Sequence, residues 1–105
     1  MEIKYSMQDD EFCAKLKGEL DECTAPYVRL SLDTLLKDID CINSPKLILD
    51  FSGVSFMDST GIGVLLGRYK KFIKQNIRMF IKNPQGHVDK ILEMTGIYGI
   101  IPKIS

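Results

Sequence analysis

The chain has no tryptophan, one histidine and no excess of either charge, because 14 basic residues balance 14 acidic ones. A neutral total argues against a dedicated nucleic-acid-binding protein, which would carry a basic face. The longest apolar runs extend over only a few residues, so none can form a transmembrane helix. The polar start of the chain, MEIKYSMQDDEF, lacks the apolar core of a signal peptide. We therefore expect a cytoplasmic protein without nucleic-acid or membrane partners.

Cysteine is also scarce, and its placement argues against two kinds of cross-link. The three cysteines, Cys13, Cys23 and Cys41, are odd in number and show no C-x-x-C spacing. Neither a disulfide framework nor a zinc site is therefore expected. A reducing compartment fits this pattern best.

Motifs that grip phosphate or activate a nucleophile are missing too. No GxxxxGK[ST] segment occurs, which excludes a P-loop. The segment from Gly61 to Gly67 departs from GxGxxG because Leu66 stands where the third glycine should be. Ser59 is preceded two places earlier by Met57, so it does not lie in a GxSxG nucleophile elbow. We therefore expect no cofactor and no metal.

The sequence does contain a hairpin pattern followed by helices and strands in alternation. A length of 105 residues predicts one domain, spanning 1–105. Alternating apolar residues predict the hairpin, and apolar spacings of three and four predict three helices. The residues expected to face the core are Ile3, Tyr5, Met7, Phe12, Ala14 and Leu16 in the hairpin; Val28, Leu32, Leu35, Leu36 and Ile39 in the first helix; Ile62, Leu65, Leu66, Tyr69, Phe72 and Ile73 in the second; Val88, Ile91, Leu92 and Met94 in the third; and the methionines Met57 and Met79. This order indicates an α/β fold with a mixed sheet and helices packed on it.

Turn and breaker residues predict where these elements end. The boundary residues are Thr24 and Pro26 at the start of the first helix, Asp40 and 43–45 after it, Asn76 after the second helix and Gly96 after the third. The fourth strand follows Asn76, contains the apolar residues Ile77, Met79, Phe80 and Ile81, and is expected to end at Asn83-Pro84. The last segment, 97–104, is expected to be extended or mixed. Pro102 lacks an N–H, so any strand there must lie at a sheet edge.

The rest of the chain is organised around KLILDFSGVSFMDSTGIGVLLGRYKK, from Lys46 to Lys71. It begins with a buried strand at Leu47–Leu49, which the polar and breaking residues of 50–53 are expected to end. An apolar pair, Phe56–Met57, then leads through a loop into Asp58-Ser59-Thr60-Gly61. A helical period follows, so Asp58 or Ser59 should cap a helix N-terminus.

This helix start has two interpretations. Asp58 and Ser59 can be a helix cap and nothing more. Alternatively, hydroxyls beside the positive end of a helix dipole suit an anion, or a hydroxyl that becomes one by phosphorylation. Functional loops of such a sheet are expected at the carboxyl ends of its central strands. Asp21 follows one predicted strand, so its carboxylate is expected near Asp58 and Ser59.

The residues here resemble those of a known family. The segment GVSFMDSTGIGVLLGRYK, with GELD-x-x-TA upstream and ILEMTGIYGII downstream, is similar to the bacterial anti-sigma factor antagonists, single-domain members of the STAS fold family. The likeness extends from about Gly18 to Ile101 and is greatest to the antagonists that act in sporulation. It implies a STAS-type fold and regulation of transcription.

The resemblance also implies a phosphorylation switch without catalysis by this chain. In the family, the unphosphorylated antagonist binds an anti-sigma factor that is also a serine kinase, and the sigma factor is released. The kinase then uses ATP to phosphorylate the antagonist, affinity falls, and a phosphatase resets the switch. By position the phosphoacceptor is Ser59, beside the motif aspartate Asp58. The residues implied to bind the kinase are Asp21, Asp58, Ser59, Thr60, Gly61, Ile62 and Gly63.

Several alternatives remain at this point. Asp21 either orients the hydroxyl, faces the nucleotide side of the kinase, or caps a turn. Gly61 and Gly63 are expected to permit close approach of a partner or of neighbouring backbone. A hydrolase using Ser59 and His87 would need these side chains within hydrogen-bond reach, and His87 is instead expected to cap a helix or face solvent. The competing functions are a small NTP-binding or hydrolysing protein and a non-phosphorylated STAS scaffold. Glu22, Cys23 and Pro102 depart from the family pattern.

Overall fold

The computed structural model describes residues 1–39 and 45–104, arranged as one mixed sheet with three helices. The elements in chain order are β1 (Glu2–Gln8), β2 (Glu11–Leu20), α1 (Ala25–Ile39), β3 (Lys46–Met57), α2 (Ser59–Ile73), β4 (Arg78–Lys82), α3 (Gly86–Met94), a 3₁₀ turn (Ile97–Gly99) and β5 (Lys103–Ile104). The predicted α/β class is thereby confirmed. Asp40, Cys41 and the first two residues of the expected linker at 43–45 lie outside the described residues.

The strands follow one another across the sheet in the order β1-β2-β3-β4-β5. β1 pairs with β2 in antiparallel fashion, and the later pairs are parallel. The hairpin turn is tight, because Gln8 pairs with Glu11 and only Asp9 and Asp10 lie between them. Asp9 has a φ of 56°, a left-handed conformation that Asp tolerates in such turns. Parallel neighbours need crossovers, and α1, α2 and α3 supply them.

The core lies between the sheet and the helices. In β2, Phe12, Ala14 and Leu16 are buried and alternate with residues that are more exposed, as the period of two predicts. The buried residues of the helices are Ala25, Val28, Leu32, Leu35 and Ile39 in α1, Gly61, Val64, Leu65 and Phe72 in α2, and Val88 and Leu92 in α3. Asp33 of α1 forms ion pairs with Arg68 and Lys71 of α2, at 3.2 and 3.1 Å, and so joins these two helices.

The expectation that the strand after Pro45 stops within residues 50–53 is wrong. β3 continues to Met57 and pairs with β2 over nearly its whole length. Gly53 lies at a register shift, where a Cβ atom would be 2.9 Å from the Leu16 carbonyl oxygen. Glycine therefore allows the two backbones to approach closely and the strand to continue. Asp50 remains within the strand, and its Oδ1 accepts a hydrogen bond from the Ser52 N–H.

Four apolar side chains that were expected in the core are exposed instead. Tyr5 and Met7 of β1 are 44% and 61% exposed, Ile73 of α2 is 43% exposed and Met94 of α3 is 85% exposed. Each lies on the edge strand or near the end of a helix, where neighbouring elements cover it only in part. Of the methionines, Met57 and Met79 are buried as expected.

The C-terminal boundaries follow the predictions. Asn76, after α2, has a φ of 62° and Gly96, after α3, has a φ of 76°. β5 pairs only with β4 among the described strands, so Pro102 immediately precedes an edge strand as expected. No described helix has the length and apolar character needed to cross a membrane.

Candidate functional site

The candidate site lies where β2 and β3 end side by side. Leu20 pairs with Met57, and the Asp58 N–H lies 3.4 Å from the Leu20 carbonyl oxygen. Asp21 and Asp58 are therefore the next residues of two neighbouring parallel strands. This is the arrangement that the sequence predicts, although Asp58 follows β3 directly and without a loop.

Asp58 is the N-cap of α2. Its backbone is extended, with φ −120° and ψ −169°, and its Oδ1 accepts a hydrogen bond of 2.9 Å from the Thr60 N–H. The Asp58 carbonyl oxygen accepts from the Gly61 N–H at 3.0 Å. Two amides of the first turn are thereby satisfied. The helix begins at Ser59 because Asp58 caps its N-terminus there.

Ser59 and Thr60 differ in exposure although both are in the first turn of α2. Ser59 is exposed, whereas Thr60 is partly covered. The Ser59 hydroxyl therefore lies at the positive end of the α2 dipole, next to the capping carboxylate. No acidic residue within the first turn itself competes for that position. An added phosphate at Ser59 would meet favourable backbone amides and an unfavourable Asp58 charge.

Asp21 has a similar local role at the end of β2. Its Oδ1 accepts hydrogen bonds from the Cys23 and Thr24 N–H groups, at 2.9 and 3.1 Å. Thr24 immediately precedes α1, as predicted, but its hydroxyl points back to β2 and donates to the Glu19 carbonyl oxygen at 2.8 Å. Asp21 thus stabilises the turn before α1, which is one of the three roles considered for it.

The two glycines of the motif have different surroundings. Gly61 is buried, and a Cβ atom there would lie 2.5 Å from Met57 Cγ and 3.1 Å from Leu20 Cγ. Gly61 therefore permits close packing of α2 on the strand ends. Gly63 is exposed, and a Cβ atom there would meet nothing within 4 Å. Ile62, between them, is partly buried against the core.

One contact near the site was not foreseen from the sequence. The Phe56 ring, two residues before Asp58, packs on the His87 ring with centroids 5.8 Å apart and planes inclined by 34°. Both residues are exposed. The sequence suggested an apolar pair at Phe56 and Met57, but their side chains must face opposite sides of a strand. That alternation was the signal available for placing Phe56 outside the core.

The strand ends and the start of α2 together present carboxylates and a hydroxyl that are suited to partner binding and to covalent modification at the protein surface. Asp58 and Asp21 hold two turns with one carboxylate oxygen each, and an exposed hydroxyl lies beside them. Within residues 1–39 and 45–104 there is no group of three or more His, Cys, Asp or Glu side chains placed to hold a metal ion. His87 makes no hydrogen bond to Ser59 among these residues.

Comparisons with known proteins agree with this fold. A family model described as the STAS domain matches residues 3–105. The chain is 34% identical over 102 residues to an anti-sigma F factor antagonist of Paenibacillus polymyxa, and the match covers 97% of this chain and 85% of that protein.

Two solved structures show the same architecture. The first is the anti-sigma factor antagonist SpoIIAA in its unphosphorylated form, with a TM-score of 0.77 at 24% identity, covering 99% of this chain and 89% of that one. The second is the Bacillus cell fate determinant SpoIIAA in the phosphorylated form, with a TM-score of 0.70 at 24% identity, covering 99% and 92%. At this identity the likeness supports the fold.

Proposed function

This chain belongs to the STAS domain family, and we propose that it is an anti-sigma factor antagonist whose binding is switched off by phosphorylation of Ser59. The unphosphorylated chain binds an anti-sigma factor that is also a serine kinase, and a sigma factor is released. The anti-sigma F factor antagonist among its relatives supports this assignment. The finer setting that we propose is regulation of sporulation in the cytoplasm, by a single domain of residues 1–105 that is not itself an enzyme.

The observation that carries the proposal is the exposed hydroxyl of Ser59 at the capped N-terminus of α2. A kinase must reach its acceptor hydroxyl from solvent, and Ser59 is accessible where Thr60 is partly covered. The solved structure of a phosphorylated SpoIIAA shows that this fold accommodates a phosphate elsewhere in the family. A phosphate on Ser59 would be held within the folded chain by the α2 dipole.

The proposed contact surface consists of the exposed groups around that hydroxyl. Ser59 and Gly63 lie one helical turn apart on α2, and both are exposed. Because Gly63 has no side chain, it leaves the helix backbone open to close approach. Asp21, Asp58, Thr60 and the exposed part of Ile62 border this surface. Gly61 contributes indirectly, by letting α2 pack tightly against Met57.

Other components follow from the same proposal. The kinase brings ATP and retains ADP, so this chain needs no cofactor of its own. A phosphatase removes the phosphate from Ser59 and restores binding. The two carboxylates near Ser59 repel an added phosphate, which favours the unphosphorylated state whenever the phosphatase is active.

The test is phosphorylation by the cognate anti-sigma factor kinase, followed by mass spectrometry. Wild-type chain should gain one phosphate, as should Thr60→Ala, whereas Ser59→Ala should gain none. Ser59→Ala should also bind the kinase persistently in the presence of ATP. A phosphate that still appears on Ser59→Ala would assign the acceptor to another residue and contradict the proposal.

A second measurement separates this function from that of a small NTP-hydrolysing protein. The purified chain is incubated with ATP or GTP in the absence of the kinase. We expect no turnover, since no phosphate-gripping motif is present. Substantial hydrolysis by the chain alone would contradict a purely regulatory role.

A further inference from the structure

The outer edge of β1 is an unpaired strand edge. β1 is the first strand of the sheet order and pairs only with β2 among the described strands. It has seven residues, without proline, and pairs with β2 along its whole length without a register shift. An edge strand of this kind presents a row of unpaired N–H and C=O groups, and natural proteins usually shorten, bend or cover it.

Exposed apolar side chains lie on β1 and on the neighbouring helix α1. Tyr5, Met7, Tyr27 and Leu30 are four of the eight large apolar side chains that are exposed among the described residues, with Leu30 67% exposed. Tyr5 lies against Ser31 of α1 and near Tyr27, and partial burial raises the pKa of its phenol. A groove of ≈ 270 Å³ runs between the strand and α1, and it is lined by Tyr5, Ser6, Met7, Phe12, Ser31, Thr34, Leu35 and Asp38.

The backbone groups that face outward belong to the apolar residues. In a hairpin closed by a two-residue turn, the residues flanking the turn form a hydrogen-bonded pair, and every second pair along the ladder does the same. Gln8 and Glu11 flank the turn here. Counting back from Gln8, the N–H and C=O groups of Ile3, Tyr5 and Met7 point away from β2. A strand added to this edge must therefore bond to these three residues.

The side chains then select one self-complementary register. If β1 meets β1 of a second copy antiparallel with Tyr5 opposite Tyr5, Ile3 lies opposite Met7 of the second copy and all outward backbone groups are paired. On the other face, Lys4 lies opposite Ser6 and Glu2 opposite Gln8, so no like charges are opposed. Shifting the strands to bring Ile3 opposite Tyr5 would place Lys4 opposite Lys4, which is destabilising.

We propose that this chain self-associates through β1, forming a symmetric dimer in which two sheets join edge to edge with Tyr5 on the two-fold axis. Such an interface is isologous, since the same surface is used by both copies. It buries Tyr5 and Met7, and it brings the two α1 helices, with Tyr27 and Leu30, towards each other. The Ser59 site lies at the ends of β2 and β3, so the dimer would present two free sites.

The test is the molar mass of the full chain by size exclusion with light scattering, from about 10 μM to about 1 mM. The wild type should approach twice the chain mass of 11.9 kDa as concentration rises. Tyr5→Lys should remain at the monomer mass, because it opposes two ammonium groups across the axis. Ser52→Lys adds the same charge at an exposed position of β3 and should still dimerise.

A cross-link tests the register independently of the lysine variants. With the native cysteines replaced by serine, Tyr5→Cys should form an intermolecular disulfide on mild oxidation, because directly opposed Cα atoms lie within disulfide reach. Ser6→Cys should cross-link far less, since Ser6 faces Lys4 of the second copy. A wild-type chain that stays monomeric at every concentration would overturn the proposal. Equal cross-linking of the two cysteine variants would also overturn it. The same holds if the chain is monomeric and substitutions at the β1 edge affect only its binding to the kinase.

Discussion

At the scale of single residues, Gly61 and Gly63 are two positions apart in α2 but differ in their surroundings, since Gly61 is closely packed and Gly63 is not. Gly61 is surrounded by the buried side chains of Met57 and Leu20. These two residues end β3 and β2, so the contact fixes the start of α2 against the strands that carry Asp58 and Asp21. Gly63 faces open space. Each glycine is unfavourable in a helix by about 1 kcal/mol relative to alanine, so each needs a compensating role.

The alanine variants should therefore change stability in opposite directions. Gly61→Ala forces a methyl group into Met57, and overpacking costs about 1–3 kcal/mol, more than the helix gains from alanine. Its free energy of unfolding should fall by about 1 kcal/mol and its Tm by about 4–8 °C. Gly63→Ala should gain up to about 1 kcal/mol in stability. Thermal and denaturant unfolding of the two variants measure this directly.

The affinity for the kinase should also distinguish the Gly63→Ala variant from the Gly61→Ala variant. Gly63→Ala should weaken binding to the kinase despite its higher Tm, because the added methyl lies on the proposed contact surface. A Gly61→Ala protein as stable as the wild type would show that Met57 yields without cost. A Gly63→Ala protein with unchanged affinity would place Gly63 outside the interface.

At the scale of elements, β5 has only two residues and depends on side-chain contacts with α3. The Tyr98 hydroxyl donates a hydrogen bond of 2.7 Å to Asp89 Oδ1, and the Lys103 Nζ lies 3.2 Å from the same oxygen. The Lys103 Nζ also lies 5.1 Å from the centre of the Tyr98 ring. These contacts connect α3, the 3₁₀ turn and the edge strand. The hydrogen bond from Tyr98, followed by that from Lys103, lowers the pKa of the Asp89 carboxyl.

The stability of this cluster should depend on pH with a definite sign. A carboxyl whose pKa is lower in the folded state stabilises the fold above its ordinary pKa of 3.8, and this contribution is lost as the pH falls through the folded-state pKa. Asp89→Asn should therefore have a lower Tm than the wild type at neutral pH. The two proteins should converge once the pH falls well below 3.8.

Tyr98→Phe serves as the matched variant, since it keeps the ring under Lys103 and removes only the hydroxyl. It should lose much of the pH dependence that Asp89 contributes, because the tyrosine hydrogen bond is the main cause of the lowered pKa. A Tm difference between wild type and Asp89→Asn that is the same at every pH would show that the carboxylate charge is not involved.

The same elements show what periodicity can and cannot predict. The apolar periods place β1, β2, the three helices and β4 correctly, because burial of one face dominates the choice of residues. Two kinds of position were misjudged. The sequence predicts that Gly53 helps to end the strand, but in the structure Gly53 allows the backbone of β2 to approach, and this contact is distant in sequence. Met7 and Met94 match the apolar period but are left largely exposed by the neighbouring elements. Periodicity identifies which face of an element is apolar, but it does not show whether another element covers that face.

The candidate site was predictable in a similar, partial sense. The motif places Asp58 and Ser59 at a helix start, and strand order brings Asp21 beside them. The hydrogen bonds that give Asp21 a local role depend on how the turn to α1 closes around Thr24. Such a closure is set by backbone dihedral angles that a residue pattern does not specify.

At the scale of the whole molecule, the proposed switch changes the charge of the binding surface while leaving the fold intact. The helix dipole of α2 can accommodate a phosphate on Ser59 within the folded chain. At an interface the same phosphate, with about −1.5 to −2 charges, must lose water beside Asp58 and Asp21. In the proposed complex, the nucleotide bound to the kinase would add further negative charge. Phosphorylation should therefore change binding far more than it changes stability.

The expected sizes of these effects can be tested with three forms of the chain. A buried charge without a partner costs several kcal/mol, and about 3 kcal/mol already lowers affinity by roughly two orders of magnitude. Calorimetry against the kinase with ADP should show tight binding by Ser59→Ala, intermediate binding by Ser59→Asp with its single charge, and almost none by the phosphorylated chain. Their Tm values should differ by only a few degrees, since the α2 N-terminus tolerates negative charge. If the phosphorylated chain bound as tightly as Ser59→Ala, charge at this position could not be what turns binding off. If it lost binding together with a large fall in Tm, the switch would act by disrupting α2 and not by repulsion across the interface.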